Sequence, residues 1–109
     1  MQTLTYLFPA DRPATRRAHV GVVASGDLEI LIEPLAPGTL AGGQAEVRVR
    51  TSVDGFDTIW HAVLARFFTR SGLLGRWELN DSGATPGVVL LRLAQAAAAA
   101  TATRTEHEA

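Results

Sequence analysis

Apolar and polar residues alternate along much of this chain, and the period of the alternation changes at definable points. Residues 3–8 put Leu4, Tyr6 and Phe8 on one face, which predicts a strand ended by the proline-bounded stretch 9–13. Val20, Val22 and Ala24 repeat at period two within 18–24, and Leu28, Ile30 and Ile32 do the same against Glu29 and Glu33 within 28–34. Together they predict a hairpin closed by a tight turn at Ser25-Gly26-Asp27, because Gly26 accepts a positive φ and Asp27 bonds nearby backbone N–H groups. The loop 34–43 carries two prolines and three glycines. A further strand is predicted over 44–53, where Ala45, Val47, Val49 and Val53 alternate with Glu46, Arg48 and Arg50.

The period then becomes helical. Asp57 reads as the N-cap of a helix over 58–71, stopped by Gly72, whose Trp60, Val63, Leu64, Phe67 and Phe68 share one face. An aromatic stripe of this kind is core. Trp77 and Leu79 alternate in a short strand over 76–80, followed by the turn chemistry of Asn80-Asp81-Ser82-Gly83. Thr85 as N-cap and Pro86 at the first helical position predict a second helix over 86–100. Its alanines, 96–100, favour helix but offer little side chain for a core, and the polar end 101–109 is expected to fray. No repeat is present. The expected fold is α+β, with two helices on one face of a four- or five-stranded, mainly antiparallel sheet.

Composition narrows the chemistry. A chain of 109 residues forms one small domain, burying roughly two thirds of its unfolded surface. A net charge of −1 with interspersed signs gives no basic surface for nucleic acid. No apolar run approaches the ~20 residues that span a bilayer, and the first residues lack a leader pattern, so a cytoplasmic location is the expectation. Cysteine is absent, which removes disulfides, a thiolate nucleophile and cysteine-ligated metals. All ten basic residues are arginine, so biotin and lipoyl arms and Schiff bases, each of which needs a lysine amine, are closed to the chain. Any covalent arm must use a hydroxyl.

The remaining constellations are weak. The loop 34–43 lacks the Gly-Lys-Ser/Thr ending of a phosphate loop. His19, His61 and His107 show no ligand spacing, so no metal site is expected. Ser25 lacks the upstream glycine of a nucleophile elbow, and no base accompanies it. On residue chemistry alone Ser25 is a turn former. Asp27 and Glu29 read as solvated turn and strand residues. The N-terminus near Thr85 serves equally as a phosphate contact or an ordinary helix start.

Three segments nonetheless carry a resemblance in their order and spacing: Ser25-Gly26-Asp27-Leu28-Glu29, Thr51-Ser52-Val53-Asp54-Gly55 and Asp81-Ser82-Gly83-Ala84-Thr85-Pro86-Gly87-Val88-Val89. Over about residues 2–96 the chain resembles the acyl carrier (delta) subunits of malonate decarboxylase and, more distantly, the gamma carrier of citrate lyase. The Gly83–Gly87 block is closer to the malonate branch. The resemblance implies a carrier domain over 1–96 and an alanine-rich tail over 97–109. It also implies that Ser25 bears a phosphoribosyl-dephospho-CoA arm through a phosphodiester. Acetyl on that arm would be exchanged for malonyl, which then loses CO₂. The thioester carbonyl takes up electrons that a free malonate dianion cannot accommodate. The carrier would catalyse neither step. Its implied partners are the transferase and decarboxylase subunits, the holo-carrier synthase that loads the arm, and an acylating enzyme. Two other classes fit the residues: a noncatalytic interaction module with Ser25 only in a turn, and a small enzyme using Asp27, Glu29 or Asp81 as acid or base.

Overall fold

Alternating side chains give a sheet one apolar and one polar face, and the helices cover the apolar one. The computed structural model describes residues 1–35 and 43–102. Its elements follow the chain as β1 (Gln2–Pro9), β2 (Arg12–Pro13), β3 (Ala18–Val20), β4 (Leu28–Glu33), β5 (Gln44–Thr51), α1 (Asp57–Arg70), β6 (Leu73–Leu74), β7 (Arg76–Asp81) and α2 (Pro86–Thr101). Five strands form one sheet in the order β1-β5-β7-β4-β3, and β2 pairs with β6 in a separate parallel bridge. Neighbours in the large sheet are antiparallel except β5 and β7. Those two run parallel because α1 supplies the long crossover that parallel neighbours need. The α+β architecture expected from periodicity is therefore the observed one.

On the covered face lie Ala45, Val47 and Val49 of β5, Trp77 and Leu79 of β7, and Leu28, Ile30 and Ile32 of β4, all buried. Helix α1 presents Trp60, Leu64, Phe67 and Phe68 to this layer, and α2 presents Val89, Leu93, Ala96, Ala97 and Ala100. Trp77 is fully buried. Its ring meets Phe67 and Phe68 edge-on at centroid distances of 5.8 and 5.1 Å, and its indole N–H donates to the Leu73 carbonyl at 3.3 Å.

On the open face, residues directly opposite across strands pair by charge or hydrogen bond. Arg76 meets Glu46 at 3.0 Å, Arg48 meets Glu78 at 3.4 Å, and the Asn80 amide donates to Glu29 at 2.9 Å. Such pairs contribute only about 0.2–1 kcal/mol each. Their main effect is to keep a wet face wet.

Five local expectations change. Strand β5 ends at Thr51 rather than at residue 53, and Val53, beyond it, is 39% exposed instead of continuing the buried face. Strand β3 ends at Val20 rather than at residue 24. Asp57 is the first residue of α1 instead of its cap; Phe56 holds the cap position without a side-chain bond, and the Asp57 charge sits in the first turn, where the helix dipole favours it. Ser71, not Gly72, caps the other end of α1. The alanines of α2 do enter the core: Ala96 and Ala100 are fully buried and Ala97 nearly so. Small side chains bring the helix backbone close to β3 and β4, so burial comes from close approach rather than from bulk. The Ala100 carbonyl also accepts from the Thr15 and Arg16 amides at 2.9 and 3.2 Å, which satisfies an otherwise orphaned helix end. Most of the loop 34–43, His107 and the polar tail lie outside the described residues.

Leu79, fully buried at the centre of the sheet, gives a direct test of this core. Leu79→Ala should lower unfolding free energy by about 2–5 kcal/mol through lost burial and the cavity it leaves. Urea denaturation followed by circular dichroism measures it.

Candidate functional site

The connection from β3 to β4 is shaped by one glycine. Gly21 has φ +76, and a Cβ there would lie 1.9 Å from the Leu28 carbonyl oxygen. The chain crosses the start of β4 too closely for any side chain, and pairing stops. Val22 and Val23, which period-two reading assigned to a strand, instead stand outward, 54% and 64% exposed.

The reversal itself is made by 24–27. The Asp27 amide donates to the Ala24 carbonyl at 2.9 Å, and Gly26 has φ +80. That is the geometry of a type II turn, whose third residue needs a positive φ. Ser25 occupies the second position. It is exposed, and among the described residues nothing hydrogen-bonds its hydroxyl. The space beside it is open too, since a Cβ built on Gly26 meets nothing within 4 Å.

An exposed turn is ordinarily mobile, yet this one is fastened from two sides. The Gly26 amide donates to the Ser82 carbonyl at 2.7 Å, and the Ser82 amide donates to the Asp27 carbonyl at 3.0 Å. These bonds continue the β4–β7 ladder past its last pair, Leu28 and Asp81. From the helix side, the Arg92 guanidinium grips the Asp27 carboxylate in two-pronged fashion: Nε donates to Oδ1 at 3.0 Å and Nη2 to Oδ2 at 2.7 Å. The Leu28 amide adds a bond to Oδ1 at 2.7 Å, and Arg92 is itself steadied by Gln95 at 3.0 Å. The Arg92 bonds first, and the Leu28 amide second, hold the Asp27 carboxyl below the usual carboxylate range.

Arg92 is absent from the sequence reading. Its signal was there: it is the single charged residue of α2, set in an apolar run. What periodicity cannot supply is its partner 65 positions upstream.

The other candidate acids are occupied. Asp81 is buried, accepting from the Thr51 hydroxyl at 2.8 Å and the Ala84 amide at 2.9 Å, so it organises the loop after β7. Glu29 is bonded by Asn80 and by His19, each at 2.9 Å, and those contacts, Asn80 first, lower its pKa. His61 packs against the rings of Tyr6 and Phe8. No cluster of metal-binding side chains occurs among the described residues.

Three measurements test this geometry. Ser25→Ala should leave stability within about 0.5 kcal/mol of the parent, because the hydroxyl bonds nothing. Gly21→Ala should cost at least about 1–3 kcal/mol through its positive φ and the Leu28 clash. Arg92→Ala carries a pH signature. A carboxyl whose folded pKa is depressed stabilises the fold above its unfolded value, near 3.9, and loses that contribution as pH falls through the folded pKa. The stability gap between parent and Arg92→Ala should therefore be constant near neutrality and close in acid, as measured by denaturation from pH 7 downward.

Residues 15–100 match the family model of the malonate decarboxylase delta subunit, an acyl carrier protein. The chain is 50% identical over 101 residues to the malonate decarboxylase acyl carrier protein of Burkholderia cepacia, covering 90% of this chain and 89% of that one. It is 48% identical over 97 residues to that of Pseudomonas aeruginosa strain UCBPP-PA14, covering 88% and 93% respectively. A chain in the crystal structure of a Pseudomonas malonate decarboxylase hetero-tetramer in complex with malonate superposes with a TM-score of 0.79 at 43% identity, covering 89% of this chain and 96% of that chain. Sequence identity at this level over nearly the whole chain, together with the shared fold, makes this protein a member of the malonate decarboxylase acyl carrier (delta subunit) family.

Proposed function

We propose that this protein is the noncatalytic acyl carrier subunit of a malonate decarboxylase and that Ser25 is its attachment residue for a phosphoribosyl-dephospho-CoA arm. The observation that carries the assignment is the state of Ser25: an exposed, unbonded hydroxyl on a turn held from β7 and from α2. A modifying enzyme needs a hydroxyl it can reach in a defined position, and an ordinary turn serine offers reach without position. The residues fit the group. Open space surrounds Gly26, and a hydroxyl is the one anchoring chemistry left in a chain without lysine or cysteine. When bound, the arm supplies the thiol on which short acyl groups travel as thioesters.

The protein's own contribution is positional. Asp27 and Arg92 keep the Ser25 turn closed, and Gly21 directs it away from the sheet. Because no side chain among the described residues is bonded to the Ser25 hydroxyl, the base that activates it belongs to the loading enzyme, a holo-carrier synthase. Asp27, Glu29 and Asp81 are each engaged in structural bonds, which favours a carrier over an acid–base enzyme. The transferase and decarboxylase subunits are its further partners, in line with the hetero-tetramer to which its structural relative belongs. Tethering replaces free diffusion by a high effective concentration at each partner site. No helix among the described residues is long and apolar enough to cross a membrane.

Intact and peptide mass spectrometry after coexpression with the loading enzyme tests the assignment. The parent should gain the mass of the phosphoribosyl-dephospho-CoA arm on the Ser25 peptide, and Ser25→Ala should gain none. Arg92→Ala, which keeps the hydroxyl but frees the turn, should load severalfold more slowly. An unmodified parent alongside an active loading enzyme would leave Ser25 a turn residue and the protein an interaction module; a phosphopantetheine increment would retain the carrier role and change the arm.

A further inference from the structure

Beside the Ser25 turn, on the helix-covered side of the sheet, lies a cleft of about 240 Å³. Val53, Phe56, Ile59, Trp60 and Val89 are among its walls. Three of these, Val53, Phe56 and Ile59, remain 39%, 44% and 47% exposed. Apolar side chains grouped around one opening leave a surface that water covers at a cost. Its polar groups include Thr51 and Asp81, both buried and bonded to each other, and no basic residue lines it.

The cleft and the turn share a wall. Ser82 bonds Gly26 and Asp27 through its backbone, and Gly83, the next residue, lines the cleft. A Cβ built on Gly83 would stand 4.0 Å from the Gly26 nitrogen. Ser25 is thus one residue away from Gly26, whose amide bonds the Ser82 carbonyl next to the rim residue Gly83.

The lining selects its occupant by chemistry. Aromatic and branched walls suit a flat, apolar-faced group. The Asp81 carboxylate retains lone pairs beyond those used by Thr51 and the Ala84 amide, so it can accept a further N–H bond. With a carboxylate inside and no cation to offset it, phosphates and carboxylates are rejected. A purine with an exocyclic amino group meets all three conditions, whereas an acyl chain lacks the donor.

We propose that this cleft seats the adenine base of the Ser25-linked arm, with its amino group toward Asp81. The proposal rests on the reading of Ser25 as the attachment residue. In a phosphoribosyl-dephospho-CoA arm the nucleoside follows directly on the phosphoribosyl link and the thiol stands at the far end. The base is therefore the part within reach of the cleft, and the thiol end stays free to visit partner subunits. Seating the base moves the effective pivot of the arm from a surface hydroxyl to a site on the domain. That shortens the segment left free and confines the volume it searches.

The test uses full-length protein loaded by its synthase, with the arm verified by mass, and two-dimensional NMR. Adenine H2 and H8 should give NOEs to the methyl groups of Val53 and Ile59, and amide shifts on loading should extend from 24–27 to Phe56, Ile59 and Gly83. Ile59→Asp changes a half-exposed position in the first turn of α1, where an acid is tolerated, and should abolish the NOEs to Val53 with the arm mass unchanged. Adenine protons without protein NOEs in mass-verified holo protein, with shifts confined to 24–27, would overturn the proposal. So would NOEs to Val53 that survive Ile59→Asp undiminished. Absence of any arm on Ser25 is a separate result, which overturns the attachment reading and this proposal with it.

Discussion

The pairing of β4 with β7 is the contact on which both the core and the site depend. Within the ladder, Ile30 faces Leu79 and Ile32 faces Trp77, so the register decides which side chains meet α1 and α2. A slip of one residue would turn Trp77 and Leu79 to solvent and bring Glu78 and Asn80 inward. Beyond the last pair the same two chains stay joined through Gly26, Asp27 and Ser82. The Ser25 turn is the ladder's continuation, and it inherits its position from the core.

A backbone ladder alone leaves its end free to fray. The Asp27–Arg92 contact closes that freedom by tying the turn to α2, which is seated on the sheet through Val89, Leu93 and its alanines. An isolated surface ion pair contributes little, but a two-pronged guanidinium contact with a backbone amide on the same carboxylate restricts geometry as well as charge. The alanines matter here in an indirect way: by letting α2 approach β3 and β4 closely, they place Arg92 within reach of the turn. Gly21 performs the complementary task from the other strand, admitting a crossing that a side chain would block.

The outcome suits the carrier role proposed for Ser25. Asp27, Glu29 and Asp81 are each committed to structural bonds, the chain has no cysteine or lysine, and among the described residues nothing is bonded to the exposed Ser25 hydroxyl. What the fold supplies is a defined location, beside an apolar cleft that shares the loop after β7. Membership of the malonate decarboxylase acyl carrier family accords with that proposal.

Sequence by itself determined the elements whose signals are local. Period-two alternation marked β1, β4, β5 and β7, a helical stripe marked α1, and Thr85-Pro86 marked the start of α2. It also determined that Ser25 sits in a turn, because Gly26 and Asp27 specify one within three residues. Where two local signals competed, periodicity misled: Val20, Val22 and Ala24 repeat like a strand, but Gly21 meets Leu28 and ends the pairing. Tertiary structure alone decided that α2's alanines are core, that β5 and β7 run parallel, and that Arg92 holds Asp27. Each of these depends on which distant segments lie side by side. A repeat read along the chain reports the face a residue occupies, whereas the identity of the group opposite is set only when the whole sheet and its helices close together.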